Sequence, residues 1–258
     1  MKNQTRRETM FFALVSMLAL RMKASATDLT LEPPPAFKPG EKLKYDLGWS
    51  FMKVGRATTE ILPDTQYKGE PARQFRMTVR TASVVDKIYK IRDSLTAYSS
   101  MDVSRSFLYE KTQREGKTKR DVQVEFDWET KQATYTDKLK KRKREPIPIL
   151  DGCLDPLSAF YFVRNQTFDV GSVLRGPITD GKKCMTAELR VVKRERIKVD
   201  GKKYNTFLVV PDIKDIGGVF KKSKDAKIEI WITTDYRHIP VRMRSKVVVG
   251  SFFCELKA

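Results

Sequence analysis

Histidine is almost absent from this 258-residue chain: His238 is the only one. One imidazole cannot supply the paired ligands of zinc, copper or non-haem iron sites. It also leaves little room for Ser-His-Asp or Cys-His nucleophiles. Cysteine is scarce as well, with Cys153, Cys184 and Cys254 spread over the second half. There is no CxxC pair, no phosphate-cradling glycine loop and no GxSxG elbow. No apolar run approaches the roughly 20 residues of a membrane-spanning helix. Metal, cofactor and standard hydrolase chemistry therefore have no motif to stand on, and no cofactor is expected.

What is present in excess is positive charge. Lys and Arg number 51 against 32 Asp and Glu, a formal net charge of +19. Hydrophobic residues make up 40% and aromatics 10%, enough to build a core.

The first residues read as an address. Lys2, Arg6 and Arg7 precede an uncharged run from Met10 to Leu20, then Ala24-Ser25-Ala26. Basic, apolar, then small is the layout of a secretory signal. Cleavage is expected near Ala26, leaving residues 27–258 as one domain in the periplasm or cell envelope. Arg21 and Lys23 depart from the pattern between core and cleavage site. Removing residues 1–26 takes away five basic residues and one acid, which leaves +15 over 232 residues. Outside the cytoplasm thiols meet oxidising conditions. Three cannot all pair: the reading is three free thiols, and any single pair would be Cys153 with Cys184.

From Phe37 onward, period-2 alternation dominates. Leu43, Tyr45, Leu47 and Trp49 alternate with Lys42, Lys44, Asp46 and Gly48. Similar strands are expected at about 54–62, 75–80, 94–101, 106–113, 120–128, 132–138, 184–200 and 203–211. A last hairpin runs from Ile228 through Asp235 and on to Leu256. Asp180-Gly181-Lys182 and Asp200-Gly201-Lys202 read as turns, and Gly217-Gly218 as a bulge or turn. Asp155 to Arg164 breaks the alternation with helical spacing, an Asp cap and Pro156 at the first position. Residues 84–91 fit a second short helix or an irregular strand. The fold class expected is all-β, a single large antiparallel curved sheet or open barrel with one or two short helices.

Two features invite a functional reading. Lys138, Lys140, Lys141, Arg142, Lys143 and Arg144 crowd six cations into seven residues. In an exported protein they suit an anionic lipid, glycolipid or polysaccharide, not nucleic acid; the alternative is a solvated hairpin. A curved sheet also has a concave apolar face that can hold a lipid-like ligand or simply be core. Tyr45, Trp49, Phe75, Phe126, Trp128, Phe160 and Tyr161 are the aromatic candidates there. Asp151 and Asp155 form the one imaginable carboxylate pair for a hydrolase of envelope polymers, against a loop acid plus a helix cap. A structural or protein-interaction module is the third reading.

Several passages together resemble an exported bacterial family catalogued as domain of unknown function 3108. They are Phe37-x-Pro39-Gly40-Glu41-x-Leu43-x-Tyr45, with Gly48 and Gly55, then Asp155-Pro156-Leu157-Ser158-Ala159-Phe160-Tyr161 and Gly181-Lys182. The last is Trp231-x-Thr233-x-Asp235-x-Arg237-x-Ile239-Pro240-Val241-Arg242. The likeness spans about 37–256 and implies an exported, mainly β, single-domain protein. It implies no activity and no catalytic residues.

Overall fold

Alternating apolar and polar positions give this chain strands that bury one face, and antiparallel hairpins join them in sequence. The computed structural model describes residues 35–212, 227–246 and 251–257. The expected signal segment 1–26 and Gly217-Gly218 lie outside the described residues. The strands are β1 (Lys42–Trp49), β2 (Met52–Ile61), β3 (Thr65–Tyr67), β4 (Glu70–Thr81), β5 (Arg92–Ser99) and β6 (Ser106–Glu115). Then come β7 (Thr118–Asp127), β8 (Gln132–Asp137), β9 (Arg142–Lys143), β10 (Ile147–Pro148) and β11 (Val173–Thr179). The last are β12 (Cys184–Val199), β13 (Lys202–Pro211), β14 (Lys227–Thr233), β15 (Pro240–Lys246) and β16 (Ser251–Leu256). Two helices interrupt them, α1 (Ser83–Asp86) and α2 (Pro156–Arg164).

One antiparallel sheet holds these strands, in the order β10-β8-β7-β6-β5-β4-β2-β1-β16-β15-β14-β13-β12-β11, with β3 pairing β4 and β9 pairing β8 off this path. Alternation alone predicts a single return strand of the last hairpin, running on to Leu256. The structure divides it into β15 and β16, and β16 pairs with β1 to join the two halves of the sheet. Register breaks at Leu47/Gly48, Tyr98/Ser99, Val191/Lys193 and Trp231/Ile232 add local twist. At the first break a Cβ on Gly48 would overlap the Phe253 ring. A Cβ on Gly55, opposite, would strike the Arg80 carbonyl, so both positions require glycine.

The sheet curls but is not closed into a barrel. β10 and β11 remain its two edges. Between them runs the segment that leads into α2. Leu154 bridges Ile178 in parallel, donating its N–H to the Pro177 carbonyl (3.0 Å) and accepting from Thr179 N (2.9 Å). Gly181, in the β11–β12 turn, abuts Val124 and Tyr135.

Across the first half, the register aligns Ile61, Phe75, Ala97, Tyr109, Val124 and Tyr135 in one row over six strands. All six are buried. Helix α2 packs on this row: the Tyr161 ring stacks on Phe75 with centroids 4.0 Å apart, and Phe37 meets both edge-on. The second half keeps a smaller cluster of Phe168, Val191, Phe207, Val209 and Ile232.

Candidate functional site

Helix α2 is positioned by its own start. Asp155 is fully buried, and its Oδ1 accepts from Leu157 N (2.8 Å) and Ser158 N (3.0 Å). Its Oδ2 accepts from the Ser106 hydroxyl at 2.6 Å, while Asp155 N donates to the same hydroxyl oxygen at 2.8 Å. At the far end, the fully buried Arg164 side chain ties the helix to the chain's N-terminal lead. It donates to both Glu41 carboxylate oxygens, to the Ala36 carbonyl (3.2 Å) and to the Arg237 carbonyl (3.0 Å).

Fixed in this way, α2 presents two different faces. Leu157, Ser158, Tyr161 and Arg164 are buried toward the first half of the sheet. Ala159, Phe160, Phe162 and Val163 are only partly covered and look onto a cavity of about 480 Å³. Its opposite wall is the concave side of β11–β14: Leu174, Gly176 and Ile178, then Ala187 and Leu189, then Val209, Ile230 and Ile232. Small residues hollow it out. Gly176 lies opposite Ala187 across β11–β12, and a Cβ built on Gly176 meets nothing within 4 Å. Leu174, Ile178, Leu189 and Ile230 remain half-buried, as expected of side chains facing unfilled space. Ser104, Arg164, Arg175 and Glu188 also border the cavity. The Arg175 and Glu188 side chains alternate with Leu174, Gly176, Ala187 and Leu189, so they pair on the opposite face of β11–β12, Nε 2.8 Å from Oε2.

Of the aromatic residues singled out in the sequence, only Phe160 lines this cavity. Tyr45, Phe75, Phe126 and Tyr161 are buried, the last three in the first-half core. Burial also pushes the Tyr45 and Tyr161 hydroxyls well above the usual tyrosine range. Trp128 stacks on Phe126 and donates from Nε1 to the Ser106 carbonyl at 2.8 Å. Trp49 lies 39% exposed beside Phe252. Strand periodicity shows which side chains face inward. It does not show which half of the concave face the helix fills.

The cationic run forms the β8–β9 hairpin, with all six basic side chains exposed. Lys138 pairs with Glu110 at 2.8 Å, and Arg144 lies over the Tyr135 ring. Among the described residues, no carboxylate pairs with Lys140, Lys141, Arg142 or Lys143. None of the six lines the α2 cavity.

The two acids considered for hydrolysis are kept apart in role. Asp151 is exposed and pairs with Lys131 at 2.9 Å, whereas both Asp155 oxygens are committed to the helix start and Ser106. Burial raises the Asp155 carboxyl above the usual range. Among the described residues, no group of His, Cys, Asp and Glu is placed to hold a metal ion, and no helix is long and apolar enough to cross a membrane. His238 is structural: Nδ1 sits 3.1 Å from the Arg164 carbonyl, and the ring stacks on Phe168.

The family model described as protein of unknown function DUF3108 matches residues 44–257. The chain belongs to this family. Among the motif residues that resemble DUF3108, Glu41, Asp155 and Arg237 all fix α2. No curated protein matches the chain. Among solved structures, the DUF3108 chain is similar to a β-barrel-like protein of domain of unknown function DUF1849 from Brucella abortus. The identity is 14% and the TM-score 0.51, covering 83% of this chain and 94% of that one. The hypothetical protein CT021 from Chlamydia trachomatis aligns at 11% identity and TM-score 0.37, over 85% and 86% of the two chains. The first likeness supports the curled β fold and nothing about activity.

Proposed function

We propose that this DUF3108 protein is a non-enzymatic binder of an amphiphilic ligand in the cell envelope. The observation that carries the reading is the apolar cavity of about 480 Å³ between α2 and β11–β14. Its size falls within the roughly 300–1,000 Å³ of small-molecule pockets. Its lining is predominantly apolar over α2 and four strands. Such a lining suits the apolar body of a lipid-like molecule. The export signal expected in residues 1–26 would place such a binder among lipids and glycolipids.

Filling the cavity with a flexible apolar chain removes half-buried Phe160, Leu174, Leu189 and Ile230 from water. Each Å² of apolar surface covered contributes roughly 25 cal/mol. Native mass spectrometry on protein purified from its own host, followed by solvent extraction, tests the reading. Co-purified amphiphile released in stoichiometric amount supports it. Protein that is empty, and that takes up no fatty acid or phospholipid when these are added, contradicts it.

A further inference from the structure

We infer that one end of the sheet, formed by the β1–β2, β4–β5, β6–β7 and β8–β9 connections, docks on the surface of an anionic phospholipid bilayer. Antiparallel order brings these connections to the same end, and hydrogen bonds link neighbours along it. Ala82 N donates to the Val54 carbonyl (2.9 Å), Gly116 N to the Lys90 carbonyl (2.9 Å), and Lys138 N to the Asp121 carbonyl (2.7 Å).

This end concentrates the exposed apolar surface. Of thirteen large apolar side chains exposed among the described residues, eight are here. Phe51 is 97% exposed, Ile88 89% and Val84 76%; Met52, Tyr89 and Leu139 accompany them. Trp49 and Phe252 complete the set as a stacked pair with centroids 6.4 Å apart. Soluble proteins seldom gather apolar side chains in this way unless the patch meets a partner.

Charge identifies the partner. Residues 50–53, 83–90, 115–120 and 137–145 hold twelve cations and four carboxylates. Two of those carboxylates are engaged locally, Asp86 with Arg92 and Asp137 with the backbone N–H of Lys140, and two of the cations are paired with neighbouring acids, Lys53 with Asp46 and Lys138 with Glu110. Apolar tips on three of the four turns, with cations and Glu115 on the β6–β7 turn, form a rim rather than a groove. Lysines and arginines stand between them, their stems apolar and their heads cationic. Such a surface inserts its tips at the headgroup boundary and sets its cations against lipid phosphates. The cationic run 138–144 thereby gains a role as part of this rim. The inference is independent of the α2 cavity, to which none of these side chains contributes a wall.

The test is co-sedimentation of the full chain with vesicles of phosphatidylcholine containing phosphatidylglycerol, or of phosphatidylcholine alone. The wild-type chain is expected to bind the anionic vesicles at least tenfold more tightly, with binding that falls as salt rises. F51S/I88S, which alters two exposed side chains and leaves the core intact, should lose at least tenfold. K140Q/K141Q/K143Q should weaken binding and flatten its salt dependence. G176F, which fills the cavity, should bind vesicles as the wild type does. Absence of binding to anionic vesicles overturns the inference, as does unchanged binding by F51S/I88S. A dimer that F51S/I88S dissolves, with no vesicle association, also overturns it and assigns the rim to a second copy of the chain.

Discussion

Arg164 and Glu41 stand 123 residues apart in sequence and meet as a two-pronged ion pair, Nη1–Oε1 at 2.5 Å and Nη2–Oε2 at 3.0 Å. The guanidinium also lies over the Phe37 and Tyr161 rings and satisfies two backbone carbonyls. Replacing it by methionine leaves Glu41 unpaired and both carbonyls unsatisfied. R164M is therefore expected to lose about 3 kcal/mol of stability in denaturant unfolding. R164M/E41L, which removes both charges, should recover part of that loss.

Asp155 supports the other end of α2 by capping two backbone N–H groups and holding Ser106. D155A should cost about 2 kcal/mol, the upper part of the range for a lost helix cap, measured by thermal unfolding. Because the acid is structural, D155A protein held below its lowered melting temperature should retain whatever ligand binding the wild type shows.

Much of this architecture was legible in the sequence, for a physical reason. Alternation marks strands directly, so Leu43 to Trp49 and Val122 to Phe126 could be assigned from their own neighbours. Asp155-Pro156 announced the helix by its capping chemistry. The break between β15 and β16 was not legible, because apolar alternation reads alike on either side of it. Nor was the Arg164–Glu41 pair, since nothing local relates residues 123 positions apart. The cavity was hidden for the same reason: Gly176 and Ala187 read as ordinary strand positions until register set them opposite each other.

The Cys153 and Cys184 sulfurs lie 3.7 Å apart as free thiols, at the seam where Leu154 meets Ile178. A small-molecule disulfide such as oxidised glutathione should join them. The more exposed Cys184 attacks it and releases one thiol; Cys153 then displaces the second, so two protein thiols are oxidised as one disulfide is reduced. Intact mass should fall by two hydrogens with no adduct, and stability should rise by about 3 kcal/mol. Cys254, whose thiol burial pushes up to about 12, should stay unmodified. A persistent glutathione adduct on Cys184 would show that the two sulfurs cannot meet.

Trp231 donates from Nε1 to Glu195 Oε1 at 2.8 Å, and this bond holds the Glu195 carboxyl below the usual range. A depressed carboxylate stabilises the fold above its unfolded pKa, about 4.3. That contribution is lost as pH falls through the lower, folded value. W231F should return Glu195 toward the ordinary range, read by NMR titration, and make the mutant's stability less steep in pH below about 4.

The amphiphile-binding reading rests on the space beside Gly176, and one titration addresses it directly. Wild-type chain and G176F are titrated with a fluorescent polyene fatty acid, their folds compared by thermal unfolding. Phenylalanine suits a strand, and the position is open, so G176F should fold with stability near that of the wild type. The account predicts saturable, one-to-one binding by the wild type, weakened at least tenfold in G176F. Equal binding by the two proteins, or none by the wild type, contradicts it.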